Sequence, residues 1–210
     1  MTHAWPQPDR PATFSRSLAS LGLWLIIQLA ALLLPMTQLR LADQYPRPPE
    51  RLALAQMLTI QIVFSAMLFP LLMPSRQATV LVILSTLPMI QLAGMLAAQP
   101  PATILAGAAY VSIWLACLGL GSAALRYRKA RLWAVAVATS LALIGPLLAY
   151  LRLEFAASST PSHFPPRLLA GPVMGVLRLL QAPACPATWT ALASLATVVL
   201  VVKHMAGRHR

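Results

Sequence analysis

The chain has 210 residues, of which 59% are hydrophobic and only 10% are charged. An ordinary soluble domain has about a quarter of its residues charged. One core of this size cannot bury so much apolar surface, so lipid must cover the remainder. The formal net charge of +12 does not indicate nucleic-acid binding, because no polar face combines the basic residues with aromatic side chains.

Six segments of roughly membrane-spanning length contain no Asp, Glu, Lys, Arg or His. About 20 helical residues cross a hydrocarbon core of about 30 Å, and helices are required because unpaired backbone groups are costly in lipid. The sequence therefore predicts an all-α integral membrane protein with six transmembrane helices, in a single domain over residues 17–203. The predicted spans are Ser17–Met36, Leu52–Met73, Ala78–Ala98, Thr103–Leu125, Leu132–Leu151 and Pro186–Val202.

The distribution of basic residues between the spans predicts the orientation. With six spans, ten Lys and Arg residues lie on the same side as the N-terminus and six lie on the other side. The densest short loop is Arg126–Arg131, and short loops determine topology most strongly. We therefore expect a cytoplasmic tail at residues 1–16 and a basic cytoplasmic tail at residues 204–210. The predicted location is a bacterial cytoplasmic (inner) membrane, with the basic residues facing its anionic lipid.

The longest connection, residues 152–185, lies between the fifth and sixth predicted spans. Within it, Gly171 and Pro172 open a second apolar stretch, Pro172–Ala182, with proline at a favourable first helical position. Such a helix reaches only about 16 Å, roughly half a bilayer. The sequence therefore predicts a short re-entrant or interfacial half-helix in this outer loop, with Arg178 pointing to the outer headgroups.

The apolar segments lack the residues that catalysis or proton coupling would use. Charged groups at membrane depth are expensive and hence usually functional, but no Asp, Glu, Lys or Arg occurs in the segments, and all four histidines lie outside them. Cys117 and Cys185 are expected at different membrane depths, and no Cys/His cluster indicates a metal. We expect no catalytic residue, no metal site and no cofactor, and therefore not an enzyme.

Neutral polar residues remain in the spans, and four of them are candidates for a transport pathway. Gln56, Thr59 and Gln61 form a polar strip along the second span, and Gln91 lies in the third. In lipid such groups need partners, and an interhelical hydrogen bond contributes about 0.6 to 2 kcal/mol. Two interpretations stay open: these residues hold helices together, or they line a pathway for a polar headgroup or solute.

Three features of the last third of the chain resemble a known family. They are the apolar run Leu141–Leu148, the segment Leu168–Pro172, and a final span that Trp189 opens and a basic end follows. Together with six spans and two cytoplasmic ends, this layout resembles the permease subunit of ABC-2 type transporters. The resemblance implies a homodimer, or an assembly with other membrane subunits, around a path. It also implies a separate ATPase that contacts basic residues on the cytoplasmic side, namely Arg76, Arg126, Arg128, Lys129 and Arg131.

The chain departs from that family at two places. The family has an amphipathic helix before its first span, whereas Pro6, Pro8 and Pro11 here disfavour a long helix before Ser17. The family also has an acidic coupling segment between its second and third spans, where this chain has only Pro74–Gln77. Two functions therefore remain. The half-helix favours a permease subunit that moves a lipid-like or small solute with a separate ATPase. The short loop favours a non-catalytic scaffold subunit of a larger membrane complex.

Overall fold

The structure is a computed structural model that describes residues 10–39, 53–72, 76–125, 127–156 and 171–181, and positions 189, 190, 193, 194, 196, 197 and 200. No strand occurs within these ranges. The predicted all-α class is therefore confirmed for the described part of the chain. The helices are α1 (Arg10–Leu39), α2 (Ala53–Leu72), α3 (Arg76–Leu96), α4 (Pro101–Ala124), α5 (Arg128–Ala156) and α6 (Pro172–Gln181).

Four of these helices are long and apolar enough to cross a membrane, judged by length and composition. These spans are Ala53–Leu72, Gln77–Leu96, Pro101–Ala123 and Arg128–Leu148, and Leu18–Leu34 within α1 is a shorter apolar helix. The sixth predicted span lies mostly outside the described residues. The count of six spans and the inward orientation of both ends therefore stay predictions.

α1 begins earlier than the sequence predicts. Its first residue is Arg10, within the predicted N-terminal tail, so Pro11 lies in its first turn. Proline is well accommodated there, because the N–H that it lacks would have no helical acceptor in any case. α1 therefore extends seven residues ahead of the predicted first span, while the expectation that the N-terminal prolines disfavour a long helix before Ser17 stays a prediction. At the other end of the bundle, α5 continues beyond the predicted fifth span to Ala156.

α2 lies at the centre of the bundle and packs against each of the other five helices. α1 also packs on α3, α4 packs on α3 and α6, and α5 packs on α6. Half of the α2 span is buried inside the protein, against 17% of the α5 span. α5 therefore presents the widest outward surface of the four spans, and its exposed side chains are largely apolar.

Glycines mark the closest contacts between helices. Gly107 of α4 lies against Leu58 of α2, whose Cδ1 atom would be 2.9 Å from an added Cβ. Gly145 of α5 and Gly171, the residue before α6, approach each other backbone to backbone. A Cβ atom on Gly171 would lie 3.0 Å from the carbonyl oxygen of Leu141. The absence of side chains at these two glycines therefore lets α6 begin directly on α5.

A tight turn joins α3 to α4. Ala98 has a φ of 49°, in the left-handed region that residues with a side chain rarely adopt. Its N–H donates to the Met95 carbonyl, and the Gln99 N–H donates to the Gly94 carbonyl, both at 3.0 Å. This pairing is a Schellman cap, which ends α3 and reverses the chain. Proline at the first helical position then opens α4.

Candidate functional site

The Thr86 hydroxyl joins α1 to α3. It accepts hydrogen bonds from Trp24 Nε1 at 3.1 Å and Gln28 Nε2 at 2.8 Å, and it donates to the Val82 carbonyl at 2.7 Å. A hydroxyl has one donor and two acceptor sites, so Thr86 uses all three. Trp24 also meets the edge of Phe69 of α2, with ring centroids 5.9 Å apart. These contacts fix α1 against both α2 and α3.

A second buried hydrogen bond joins α2 to α4. Trp114 Nε1 donates to the Ser65 hydroxyl at 3.0 Å, and that hydroxyl donates to the Ile62 carbonyl at 2.9 Å. A buried indole N–H needs such an acceptor, because the apolar interior offers no water in its place. The bond therefore fixes the rotation of α4 relative to α2.

Gln61 differs from these groups because the hydrogen-bonding groups of its buried amide are unsatisfied within the described residues. It lies one turn before Ser65 on α2, and 0% of its side chain is exposed. Neither its Oε1 nor its Nε2 has a hydrogen-bond partner among the described residues. Burying a polar group in this way costs about 1 to 3 kcal/mol. The centre of α2 thus carries an amide whose donors and acceptor are both available.

Several buried polar groups lie at a similar depth. Each is within three residues of the middle of its apolar segment, which is about 5 Å along a helix axis. Helices that pack side by side bring the middles of their apolar segments to a similar level of the bundle. We define this central polar layer as Gln28, Gln61, Ser65, Thr86 and Thr139. Within the described part of the chain, Thr139 Oγ1 and Gln28 Oε1 are also buried without a partner.

The structure separates the four polar residues that the sequence selects as pathway candidates. Gln61 is fully buried, Gln56 and Thr59 are half-buried on α2, and Gln91 is exposed on α3. Positions 59 and 61 are about 200° apart around a helix, so the polar strip is spread around α2 and does not occupy one face. Of the four, only Gln61 belongs to the central polar layer.

Sequence patterns alone do not single out Thr86 and Ser65, the two hydroxyls that bind helices together. One signal does point to them. Trp24 and Trp114 lie near the middle of apolar segments, whereas tryptophan in membrane proteins is enriched at the two interfaces. An indole N–H at mid-depth requires a buried acceptor, so each central tryptophan predicts a hydroxyl or carbonyl on a neighbouring helix.

The basic residues that the resemblance assigns to an ATPase occupy different positions. Arg128 and Lys129 are exposed at the start of α5. Arg131 is half-buried, and its Nε donates at 3.0 Å to the carbonyl oxygen of Leu125, the residue that directly follows α4. Arg76 is the first residue of α3, and Arg126 lies outside the described residues. Arg131 therefore holds the α4–α5 turn together, while Arg128 and Lys129 face outward.

A helix is present where the sequence predicts the half-helix. Gly171 is buried, Pro172 begins α6, and the helix ends at Gln181. Arg178 is half-buried in its last turn, where a cation interacts favourably with the helix dipole. α6 packs on α2, α4 and α5, so it is an integral part of the bundle; its re-entrant position in a bilayer stays a prediction. Its fully buried residues are Val173, Val176 and Leu179.

The fold and its polar interior define the class of protein. Four helices are apolar enough to span a bilayer, apolar side chains cover their outward faces, and neutral polar groups meet inside; this is a helical membrane protein. In the described ranges, no group of three or more His, Cys, Asp or Glu side chains could hold a metal ion. Comparison of the chain with protein-family models, curated proteins and solved structures gave no match.

Proposed function

We propose that this protein is a membrane-spanning permease subunit that moves a lipid-like or small solute with energy from a separate ATPase. The observation that supports the proposal is the buried amide of Gln61, which has no hydrogen-bond partner among the described residues. Transporters commonly bind their solutes near the middle of the bilayer, which is the depth of the central polar layer. A native protein that keeps a buried unmatched group at such a place calls for an explanation, and solute binding provides one.

The chemistry of the layer indicates the kind of solute. An amide and a hydroxyl can exchange hydrogen bonds with the ester, hydroxyl or amide groups of a solute. A charged solute would lack a counter-charge at this depth, because the six apolar segments of the sequence contain no Asp, Glu, Lys, Arg or His. The layer therefore suits a neutral polar group, such as the glycerol–ester region of a lipid or a small uncharged solute.

Access to Gln61 requires the helices around it to move. Hydrogen bonds between buried side chains join α1 to α3 and α4 to α2. α5 is the least buried span, and Arg131 in its first turn donates a hydrogen bond to the carbonyl oxygen of Leu125. We therefore assign the opening movement to α5, which packs on α2 and carries Thr139 of the layer.

The energy for such a movement has to come from outside the chain. The apolar segments of the sequence have no carboxylate that could bind a coupling ion. A separate ATPase would act near Arg76, the first residue of α3, and near Arg126 in the connection between α4 and α5. Two copies of the chain, or one copy with other membrane subunits, would surround the path.

Purification from native membranes in a mild detergent tests this function. We expect an ATPase to co-elute and its hydrolysis rate to rise when the protein is present. Gln61→Leu should abolish the rise, whereas Gln91→Leu, the same change at an exposed position of α3, should leave it unchanged. If no ATPase co-elutes, the permease function is excluded; if the two variants behave alike, Gln61 has no role in it.

A scaffold subunit is the second candidate, and the outward face of α5 favours it. That face is broad, apolar and continuous over the length of the span, as expected of a surface that packs on other membrane subunits. For a scaffold, Gln61→Leu leaves the activity of the whole complex unchanged, and purification yields stable membrane partners without an ATPase.

A further inference from the structure

The start of α5 concentrates positive charge where a helix favours negative charge. Arg128 and Lys129 are its first two residues, both exposed, and its first turn contains no acidic residue. The N-terminus of a helix carries a partial positive charge, so cations there raise the electrostatic energy unless an anion is bound. The backbone N–H groups at the same end of the helix can donate hydrogen bonds to an anion.

The protein supplies little negative charge to balance these residues. Glu154 is the only acidic residue among the described ranges, and it lies near the opposite end of α5. In the full sequence, no Asp or Glu occurs between Glu50 and Glu154. Arg131, the third cation of this turn, points toward the protein and donates to the Leu125 carbonyl. Within the described residues, no acidic residue lies beside this outward pair at the start of α5.

Along the exposed face of α5, the basic pair is followed by an aromatic side chain and then by apolar side chains. Lys129 and Trp133 are one turn apart on the same face, and Trp133 is 73% exposed. Exposed apolar residues then follow along that face, including Val137, Ile144 and Leu147. The opposite face carries the buried residues of α5 that pack on the bundle, so the order of charge, aromatic ring and apolar side chains belongs to the outward surface alone.

This order matches the order of groups in a phospholipid. Basic side chains at the membrane surface attract anionic headgroups. Tryptophan is enriched at the boundary between headgroups and hydrocarbon, and apolar side chains face the acyl chains. Lys129 and Trp133 are about 6 Å apart along the helix axis, which is close to the thickness of one headgroup region. Tyr127, which is 78% exposed, lies directly before the basic pair.

We propose that Arg128 and Lys129 bind the phosphate of an anionic phospholipid whose acyl chains lie along the exposed face of α5. The site is independent of the permease function, because a scaffold subunit would present the same surface. It assigns Arg128 and Lys129 to lipid, and it leaves Arg76 and Arg126 as contacts for a protein partner.

Native mass spectrometry of the full chain in a neutral detergent tests the site. Phosphatidylglycerol and phosphatidylcholine with identical acyl chains are the probes. We expect phosphatidylglycerol to bind more tightly than phosphatidylcholine. The double variant Arg128→Gln, Lys129→Gln should weaken phosphatidylglycerol binding by about fivefold for each charge removed. Equal binding of the two lipids by the unaltered chain would overturn the proposal.

Two further variants separate this site from general charge attraction. Arg208→Gln with Arg210→Gln removes the same charge from the C-terminal end, and it should leave phosphatidylglycerol binding unchanged; an equal loss would show that the attraction is not local. Trp133→Ala should weaken binding of the long-chain lipid without changing net charge, since the ring supports the lipid below its headgroup. Unchanged affinity in Trp133→Ala would contradict the placement of the acyl chains.

Two competing anions are distinguished in the same experiment. Inorganic phosphate at the lipid's concentration should not displace phosphatidylglycerol, because it lacks the acyl contacts; displacement would assign the pair to a free anion. A double variant at Arg128 and Lys129 that keeps its phosphatidylglycerol binding but no longer co-elutes with an ATPase would assign the pair to the protein partner. Either result would overturn the lipid site.

Discussion

The α1–α3 contact and the centre of α2 both bury neutral polar side chains in the middle of apolar helices, but they satisfy them to different degrees. At the first, two donors from α1 converge on the Thr86 hydroxyl, which in turn donates to its own helix. At the second, both ends of the Gln61 amide lack a partner within the described residues. The two regions lie at similar depth in the bundle, so depth does not explain the difference.

The difference separates two uses of polarity inside a membrane protein. A matched hydrogen bond between helices stabilises their packing and fixes their rotation. An unmatched buried amide destabilises the folded protein, and its retention is typical of groups that serve a ligand or a moving part. The comparison therefore predicts opposite signs when the polar group is removed: loss of stability at Thr86 and gain of stability at Gln61.

Thr86→Val should remove the hydrogen bonds between α1 and α3 and cause the largest change in the free energy of unfolding. Valine keeps the shape of threonine but removes the hydroxyl, which leaves the N–H donors of Trp24 and Gln28 without their acceptor. We expect the free energy of unfolding to fall by about 2 kcal/mol, measured by denaturant titration in detergent micelles. Ser85→Ala is the control, because the half-buried Ser85 hydroxyl donates only to a carbonyl of its own helix. Equal losses in both variants would contradict the bridging role of Thr86.

Gln61→Leu should change stability in the opposite direction. Leucine fills a similar volume and removes an amide that is buried without partners, so the free energy of unfolding should rise by about 1 kcal/mol. Gln91→Leu, on the exposed side of α3, should change it little. A fall in stability of Gln61→Leu in the same titration would mean that the amide is hydrogen-bonded in the protein, and the contrast with Thr86 would disappear.

Thr139→Val tests the comparison at another buried hydroxyl, where we expect the smallest change in the free energy of unfolding. Its Oγ1 atom is buried and unmatched within the described residues, but the side chain as a whole is only half-buried. We expect a gain of about 0.5 kcal/mol in the free energy of unfolding, resolved by repeated titrations beside Ser140→Ala, an exposed neighbour that should show no gain. A clear fall in the free energy of unfolding of Thr139→Val would show that Thr139, like Thr86, forms a hydrogen bond that stabilises helix packing.

The sequence predicts several elements closely because their signals are local. The limits of α2, α3 and α4 lie within two residues of the predicted spans, since charges or prolines bound those apolar runs. α6 begins at the predicted Pro172, because a Gly-Pro pair followed by apolar residues is a strong helix start. The sequence does not predict the start of α1 at Arg10, because Pro11 is compatible with the first turn of a helix although proline disrupts a helix interior.

The sequence by itself determines that lipid surrounds the apolar segments, because they contain no Asp, Glu, Lys, Arg or His. It also determines that these segments are helices, because every backbone N–H and C=O group in lipid must be hydrogen-bonded within the protein. Only the tertiary structure decides which polar residues meet. Gln61 and Gln91 are the same residue in similar segments, yet one is enclosed and the other exposed. Hydropathy cannot distinguish them, because a spanning helix is apolar on every side. The packing of α3 through Val82, Thr86 and Ile90 turns Gln91 outward, while the central position of α2 encloses Gln61.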